Sequence, residues 1–314
     1  MVQPVEEPKA KRSVWPLVIA GVLLTLSVVY MLWTFDWSAI GAILVQVRPV
    51  WIIAGAVPAT VAFWVVRSWR YGLLMRGLEI ELPLWELYIA SAISLSLANF
   101  TPMQVGEAAK VEMLRRRQAL ERLDGYGGFV LERVLDAYVL VLLACAGPLL
   151  GLDLFDAKLR WGLWAALVVL TVAGLVLLYG VSLGGPLGKV LDTVQRSVRS
   201  FWHLLALFGL TLLGWILVAV VWFSLLCSVE LVMPFAMAVG ATAGLTLINI
   251  LSLIPGAFGI SEVAAAQLFM ALGYEEGLSQ AGAIALRGSS LIGLLLGLPH
   301  LWWWRLRTAS RNGS

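Results

Sequence analysis

The sequence predicts an all-α polytopic membrane protein, from its composition, its long apolar runs and the placement of its basic residues. Of its 314 residues, 61% are hydrophobic and 13% are charged, with a mean hydropathy of +0.90. Soluble domains are about half apolar and about a quarter charged. Because one membrane crossing takes about 20 apolar residues, the chain can supply about six crossings. The net charge of +3 is too small to indicate a nucleic-acid-binding protein.

The charges at the two ends of the chain place both termini in the cytoplasm. Lys9, Lys11 and Arg12 precede the first apolar run, 14–35, and basic residues favour the cytoplasmic side. This run is long and lacks a small-residue cleavage site, so we interpret it as a retained anchor rather than a signal peptide. The sequence therefore predicts a cytoplasmic tail over 1–13, one transmembrane domain over 14–304 and a second cytoplasmic tail over 305–314.

Two apolar segments do not fit as simple crossings. The run 84–100 has basic residues on both flanks, with the group 110–122 following it, so we predict a re-entrant hairpin over about 84–114 that enters and leaves by the cytoplasmic face. The segment 231–274 begins and ends on the outer side in this layout, so we predict a second hairpin over 231–274 that enters and leaves by the outer face. This layout puts 17 of the 22 Lys and Arg residues in the cytoplasm and three outside. The alternative has eight full crossings, with the group 110–122 outside.

The two predicted hairpins resemble each other, which indicates an inverted repeat. Each carries an asparagine, then a proline, then a glycine four residues later, then a glutamate: Asn99, Pro102, Gly106 and Glu107 in the first, and Asn249, Pro255, Gly256, Gly259 and Glu262 in the second. Inverted repeats with broken helices form the midplane sites of many transporters. Non-helical backbone at that depth requires surrounding protein or water.

Local signals place a helix start at each break. Thr101 suits an N-cap, Pro102 suits the first helical position, and Gln104 completes a capping box, so we expect a helix to begin at Thr101 inside the bilayer. Such an end attracts an anion or a polar head group. At the second break, Ser261 is expected to cap a helix that begins at Glu262, whose carboxylate would face the positive end of the helix dipole.

Ionisable residues at membrane depth are the strongest candidates for function, because each costs about 2.5–3.5 kcal/mol on insertion scales and needs a partner or water. Glu107, Glu262 and Arg287 are such residues. They either line a polar cavity or act as scaffolding, with Glu107 paired to Lys110 and Glu262 paired to Arg287.

Other polar residues also have two interpretations. Glu132, Arg133 and Asp136 form either a functional or a structural cluster near the cytoplasmic boundary. Asn99 and Asn249 line the site or form hydrogen bonds between helices. Arg67 and Arg70 form a patch for lipid head groups or only determine topology. The predicted cavity residues are Asn99, Thr101, Pro102, Gly106, Glu107, Lys110, Glu132, Arg133, Asp136, Asn249, Pro255, Gly256, Gly259, Glu262 and Arg287.

These residues, in this order, resemble a known family. The carrying pattern is Arg67 and Arg70, then Asn99-x2-Pro102-x3-Gly106-Glu107-x2-Lys110, then Gly127-Gly128-x3-Glu132-Arg133-x2-Asp136, then Pro255-Gly256-x2-Gly259-x2-Glu262. It is similar to the flippase-like transmembrane family, the membrane region of lysylphosphatidylglycerol synthases, over roughly 15–305. Lys110 stands where the family pattern has arginine, and Ala257 replaces a glycine in the second loop.

The resemblance implies a protein that moves a phospholipid or a polyprenyl-linked lipid between the leaflets of the cell membrane. It does not imply the synthase reaction, and we expect neither an enzyme nor a cofactor or metal site. The expected partner is a membrane lipid, with a homo-oligomer or a lipid-modifying enzyme as further candidates. Two alternatives remain: a non-transporting subunit that anchors a lipid-modifying enzyme or glycosyltransferase, and a membrane glycosyltransferase with Asp36 as its catalytic acid.

Overall fold

The computed structural model describes residues 15–117, 120–147, 157–179, 184–252 and 254–312, and these residues form helices and short connections without a strand. The α-helices are α1 (Trp15–Thr34), α2 (Trp37–Leu44), α3 (Pro49–Trp51), α4 (Val57–Gly77), α5 (Leu84–Ala98), α6 (Ala109–Arg117), α7 (Arg122–Cys145), α8 (Ala157–Tyr179), α9 (Gly185–Ser197), α10 (Phe201–Ser228), α11 (Phe235–Leu251), α12 (Ile260–Ala271), α13 (Glu276–Leu286) and α14 (Gly288–Asn312). The prediction of an all-helical fold is confirmed.

Within the described residues, three helical stretches are long and apolar enough to cross a membrane: Pro49–Gly77, Phe201–Ser228 and Glu276–Leu306. A fourth span is possible if α1 and α2, which meet at a bend of 82°, count as one. Shorter apolar helices lie at Leu84–Ala98, Arg160–Val176 and Phe235–Leu251. The chain is therefore a multi-pass membrane protein, while six full crossings and two re-entrant hairpins stay a prediction.

Asp36 lies at the bend between α1 and α2, where its side chain binds backbone amides at the start of α2. Its Oδ1 atom accepts hydrogen bonds from the backbone nitrogens of Ser38 at 3.0 Å and Ala39 at 3.1 Å, and from the Ser38 hydroxyl at 2.6 Å. These bonds satisfy amide groups that the first turn of a helix leaves free. Asp36 therefore acts as the N-cap of α2.

The buried apolar side chains form two large cores. One packs Leu225 and Phe269 with neighbours from α2, α10, α12 and α13, and the other packs Tyr71 and Leu74 with neighbours from α4, α5, α6 and α7. Apolar burial of about 25 cal/mol per Å² makes such cores the main stabilising contribution in a water-exposed protein, whereas between helices in lipid it is close packing that stabilises. The two cores hold α4 and α10, which contact each other, as the central pair.

The first break differs from its predicted form. No α-helix starts at Thr101; a 3₁₀ segment covers Pro102–Ala108, and α6 begins at Ala109. The expected capping box is absent because Gln104 has a left-handed backbone with φ of 55°. The Thr101 hydroxyl instead accepts a hydrogen bond from the Gly106 nitrogen at 2.8 Å and donates one to the Ala98 carbonyl at 3.1 Å.

The second break differs from its predicted form in the opposite direction, because its helix begins earlier than predicted. Helix α12 starts at Ile260 with Gly259, not Ser261, as the N-cap. Glu262 is the third helical residue, and its Oε2 atom accepts a hydrogen bond from the Gly259 nitrogen at 2.9 Å. The acidic side chain therefore lies at the positive end of the helix dipole, as the sequence predicts.

Candidate functional site

A cavity of about 180 Å³ lies between the two breaks. It is an order of magnitude larger than the roughly 10–15 Å³ that one water needs, and smaller than pockets for whole drug-sized ligands. The described residues that line it are Thr60, Phe63, Trp64, Leu95, Ala98, Asn99, Thr101, Gln104, Trp215, Val218, Val221, Trp222, Thr246, Asn249, Ile254, Gly256, Ala257, Ser261, Ala283, Leu286, Arg287, Ser289, Ser290 and Gly293.

The two breaks touch each other at the cavity wall. Gly256 has a left-handed backbone with φ of 61°, and a β-carbon added to it would lie 2.6 Å from the Asn99 carbonyl oxygen. Only glycine adopts this conformation without a steric penalty, and only glycine leaves room for this approach. The broken segments of the two predicted repeats are therefore in direct contact, on opposite sides of one polar space.

The structure brings together part of the predicted set. Of the predicted site residues, five line the cavity: Asn99, Thr101, Asn249, Gly256 and Arg287. The side chain of Pro102 lies outside the described part of the structure. Sequence reasoning missed Gln104, Thr246, Ser261, Ser289 and Ser290, which line the cavity as well. Gln104 and Ser261 lie beside the breaks in the chain, whereas Ser289 and Ser290 follow Arg287, and small hydroxyl residues are too common in membrane helices to be selected from sequence.

An ion pair holds the second loop in shape. Glu262, 2% exposed, pairs with Arg287 as predicted. The Arg287 guanidinium also donates to the carbonyls of Gly256 at 2.7 Å and Ala257 at 3.0 Å. Because Ala257 has a positive φ of 50°, it occupies a conformation that favours glycine, which is the residue expected here from the family pattern. The Glu262–Arg287 pair therefore holds the loop at 256–257 in its strained backbone conformation.

A larger ionic cluster fills the space between α4, α6 and α7. Asp136 accepts hydrogen bonds from Arg67 at 2.7 and 2.8 Å, from Arg70 at 2.7 and 3.2 Å, and pairs with Arg133 at 2.7 Å. Arg70 also reaches Glu132 at 3.2 Å. The ionic cluster comprises Arg67, Arg70, Glu107, Lys110, Glu132, Arg133 and Asp136.

The ionic cluster corrects two expectations. Glu107 pairs with Arg67 and Arg133, while Lys110 pairs with Glu132, so the predicted pair of Glu107 with Lys110 is replaced by partners on other helices. Arg67 and Arg70 are 4% and 0% exposed and cannot form a patch on the membrane surface. Neighbouring carboxylates explain the burial, because a buried charge must be paired.

The cluster and the cavity share a wall without merging. Phe63 lines the cavity, and the Arg67 guanidinium lies 5.9 Å from the centre of its ring. Glu107 belongs to the same 3₁₀ segment whose N-cap, Thr101, lines the cavity. None of the seven cluster residues is among the described cavity-lining residues. The cluster therefore fixes α4, α7 and the first break against one another.

The sequence matches a known protein family over most of its length. Among curated proteins, none matches the sequence. The family described as the lysylphosphatidylglycerol synthase TM region matches residues 17–297, a stretch that includes both breaks, the ionic cluster and every described residue lining the cavity. The chain therefore belongs to the lysylphosphatidylglycerol synthase TM region family.

Proposed function

We propose that this protein moves the polar head group of a membrane lipid between the two leaflets through the cavity between its breaks. Membership of the family indicates a function connected with membrane lipids. The observation that carries the finer proposal is the contact of the two breaks around one polar cavity. Transporters with inverted repeats bind their substrates at such broken helices near the bilayer midplane.

The cavity size fits a head group rather than a whole lipid. Its volume is about 180 Å³, which leaves the acyl chains to travel in the surrounding bilayer.

We propose that no covalent step is involved. The carboxylates considered for chemistry have structural partners: Asp36 caps α2, and Glu262 holds the second loop. We also propose that the protein acts in the plasma membrane with both termini in the cytoplasm.

Translocation in liposomes tests this proposal. The full-length protein is reconstituted with trace lipids that carry a fluorophore on one acyl chain and an unmodified head group, and a membrane-impermeant reductant bleaches the label on the outer leaflet. We expect liposomes with protein to lose nearly all fluorescence, because inner lipids reach the outer face, whereas protein-free liposomes should lose about half, since half of the lipid faces outward. Equal bleaching in both would contradict transport and favour a subunit that only anchors a lipid-modifying enzyme.

A further inference from the structure

We propose that the cavity selects a neutral, hydroxyl-rich head group, such as a sugar or another polyol, over a charged one. This inference rests on the proposed function and names the substrate class of the same cavity. Three features carry it: the charge balance of the wall, its available hydrogen-bond acceptors, and its tryptophans.

The cavity wall carries no uncompensated charge among its described residues. Arg287 is the one charged side chain there, and Glu262 neutralises it. Four of its five N–H donors are already used, by both Glu262 oxygens and by the carbonyls of Gly256 and Ala257. Arg287 thus has little capacity left to bind a phosphate, and no free carboxylate on the described wall awaits an ammonium group.

The wall offers hydrogen-bond acceptors to a ligand. The Thr60 hydroxyl donates to the Ala56 carbonyl at 2.8 Å, and the Ser289 hydroxyl donates to the Leu286 carbonyl at 2.7 Å. A hydroxyl whose proton is used in this way still has lone pairs to offer. The Oδ1 atom of Asn249 is buried and accepts no hydrogen bond within the described structure. An unpaired buried acceptor is costly, and an O–H donor of a ligand would satisfy it.

Aromatic rings cover another part of the same wall. Trp215 and Trp222, both partly exposed, line the cavity together with Asn99 and Gln104, which carry side-chain amides. An indole ring offers a broad apolar face, against which the C–H face of a ring-shaped polyol packs, while the hydroxyl rim of the polyol reaches the amides. A charged head group would lose its hydration here without gaining a counter-charge, which is unfavourable.

Binding of three lipids with identical acyl chains tests the inference. The probes are monoglucosyldiacylglycerol, phosphatidic acid and a trimethylammonium lipid without hydroxyls, each titrated against the full-length protein in detergent and measured by native mass spectrometry. We expect the glucosyl lipid to bind most tightly. Asn249→Leu should weaken its binding about three- to tenfold, the effect of one hydrogen bond, and leave the other two lipids unchanged. Gln46→Leu removes an exposed amide outside the cavity and should change none of the three.

A second variant keeps the test informative if Asn249→Leu does not fold. Asn249→Asp preserves the size of the side chain and adds a negative charge, so it should raise the relative affinity for the trimethylammonium lipid. The inference is overturned if the wild-type protein binds either charged lipid as tightly as the glucosyl lipid, or if both Asn249 variants bind like the wild type. Because binding is measured without movement, a protein that prefers the glucosyl lipid but fails the liposome assay would refute the transport proposal alone.

Discussion

Replacing Asp136 with leucine is expected to lower the free energy of unfolding by about 3–5 kcal/mol, the usual cost of breaking a buried ion pair from one side. Asp136 is 2% exposed and contacts Arg67, Arg70 and Arg133. Without it, Arg67 keeps only Glu107 as a carboxylate partner and Arg70 keeps only Glu132 within the described residues. Unfolding of the detergent-solubilised protein by a denaturing detergent, followed by circular dichroism, measures the change.

Glu230→Gln is the matched control for the Asp136 variant. Glu230 also pairs with an arginine, Arg48, but their side chains are 58% and 61% exposed. Exposed ion pairs contribute about 0–1 kcal/mol, so this variant should unfold nearly as the wild type does. Similar losses in the two variants would show that the buried cluster does not hold the helices together.

Replacing Gly256 with alanine is expected to reduce lipid translocation roughly tenfold or more. A left-handed backbone costs a non-glycine residue about 1–2 kcal/mol, and the new β-carbon would also meet the Asn99 carbonyl at 2.6 Å. The two breaks must then move apart, and a tenfold change needs only about 1.4 kcal/mol. The rate of the second phase of bleaching in the liposome assay, in which lipid from the inner leaflet is lost, measures the effect.

Gly273→Ala is the control that separates backbone strain from the steric clash expected at Gly256. Gly273 also has a positive φ, of 91°, but nothing lies within 4 Å of an added β-carbon. This variant carries the backbone strain alone, outside the cavity, and should translocate lipid at close to the wild-type rate. If both alanine variants behave alike, the contact between the breaks is not what Gly256 provides.

The sequence predicts the helical fold, the two breaks and the Glu262–Arg287 pair, because each leaves a local or compositional signal. Proline removes a helical hydrogen bond and glycine weakens a helix interior, and a membrane-depth carboxylate needs a cation. These properties are carried by single residues and their chain neighbours. The partners of Glu107 are not predicted correctly. Lys110 lies three residues further along the chain, so the sequence favours a pair between these two residues, whereas the structure pairs Glu107 with residues of other helices.

Tertiary packing decides the features that the sequence does not predict. Arg67 and Arg70 look like surface determinants because basic residues usually flank crossings, but carboxylates from α7 and from the 3₁₀ segment before α6 neutralise both. The capping signal at Thr101 is sound by itself, yet Gln104 adopts a left-handed backbone and the hydroxyl bonds to Gly106. Apart from Thr101 and Ser261, which carry capping signals, the serines and threonines of the cavity show no sequence pattern of their own.

Filling the cavity tests the central claim most directly. Val218 and Leu213 lie on the same helix, α10; Val218 lines the cavity, whereas Leu213 is 45% exposed and does not. Val218→Trp and Leu213→Trp therefore place the same large side chain inside and outside the proposed route. We predict that Val218→Trp liposomes bleach like protein-free liposomes while Leu213→Trp liposomes bleach like the wild type. Equal translocation by the two variants would contradict a route through the space between the breaks.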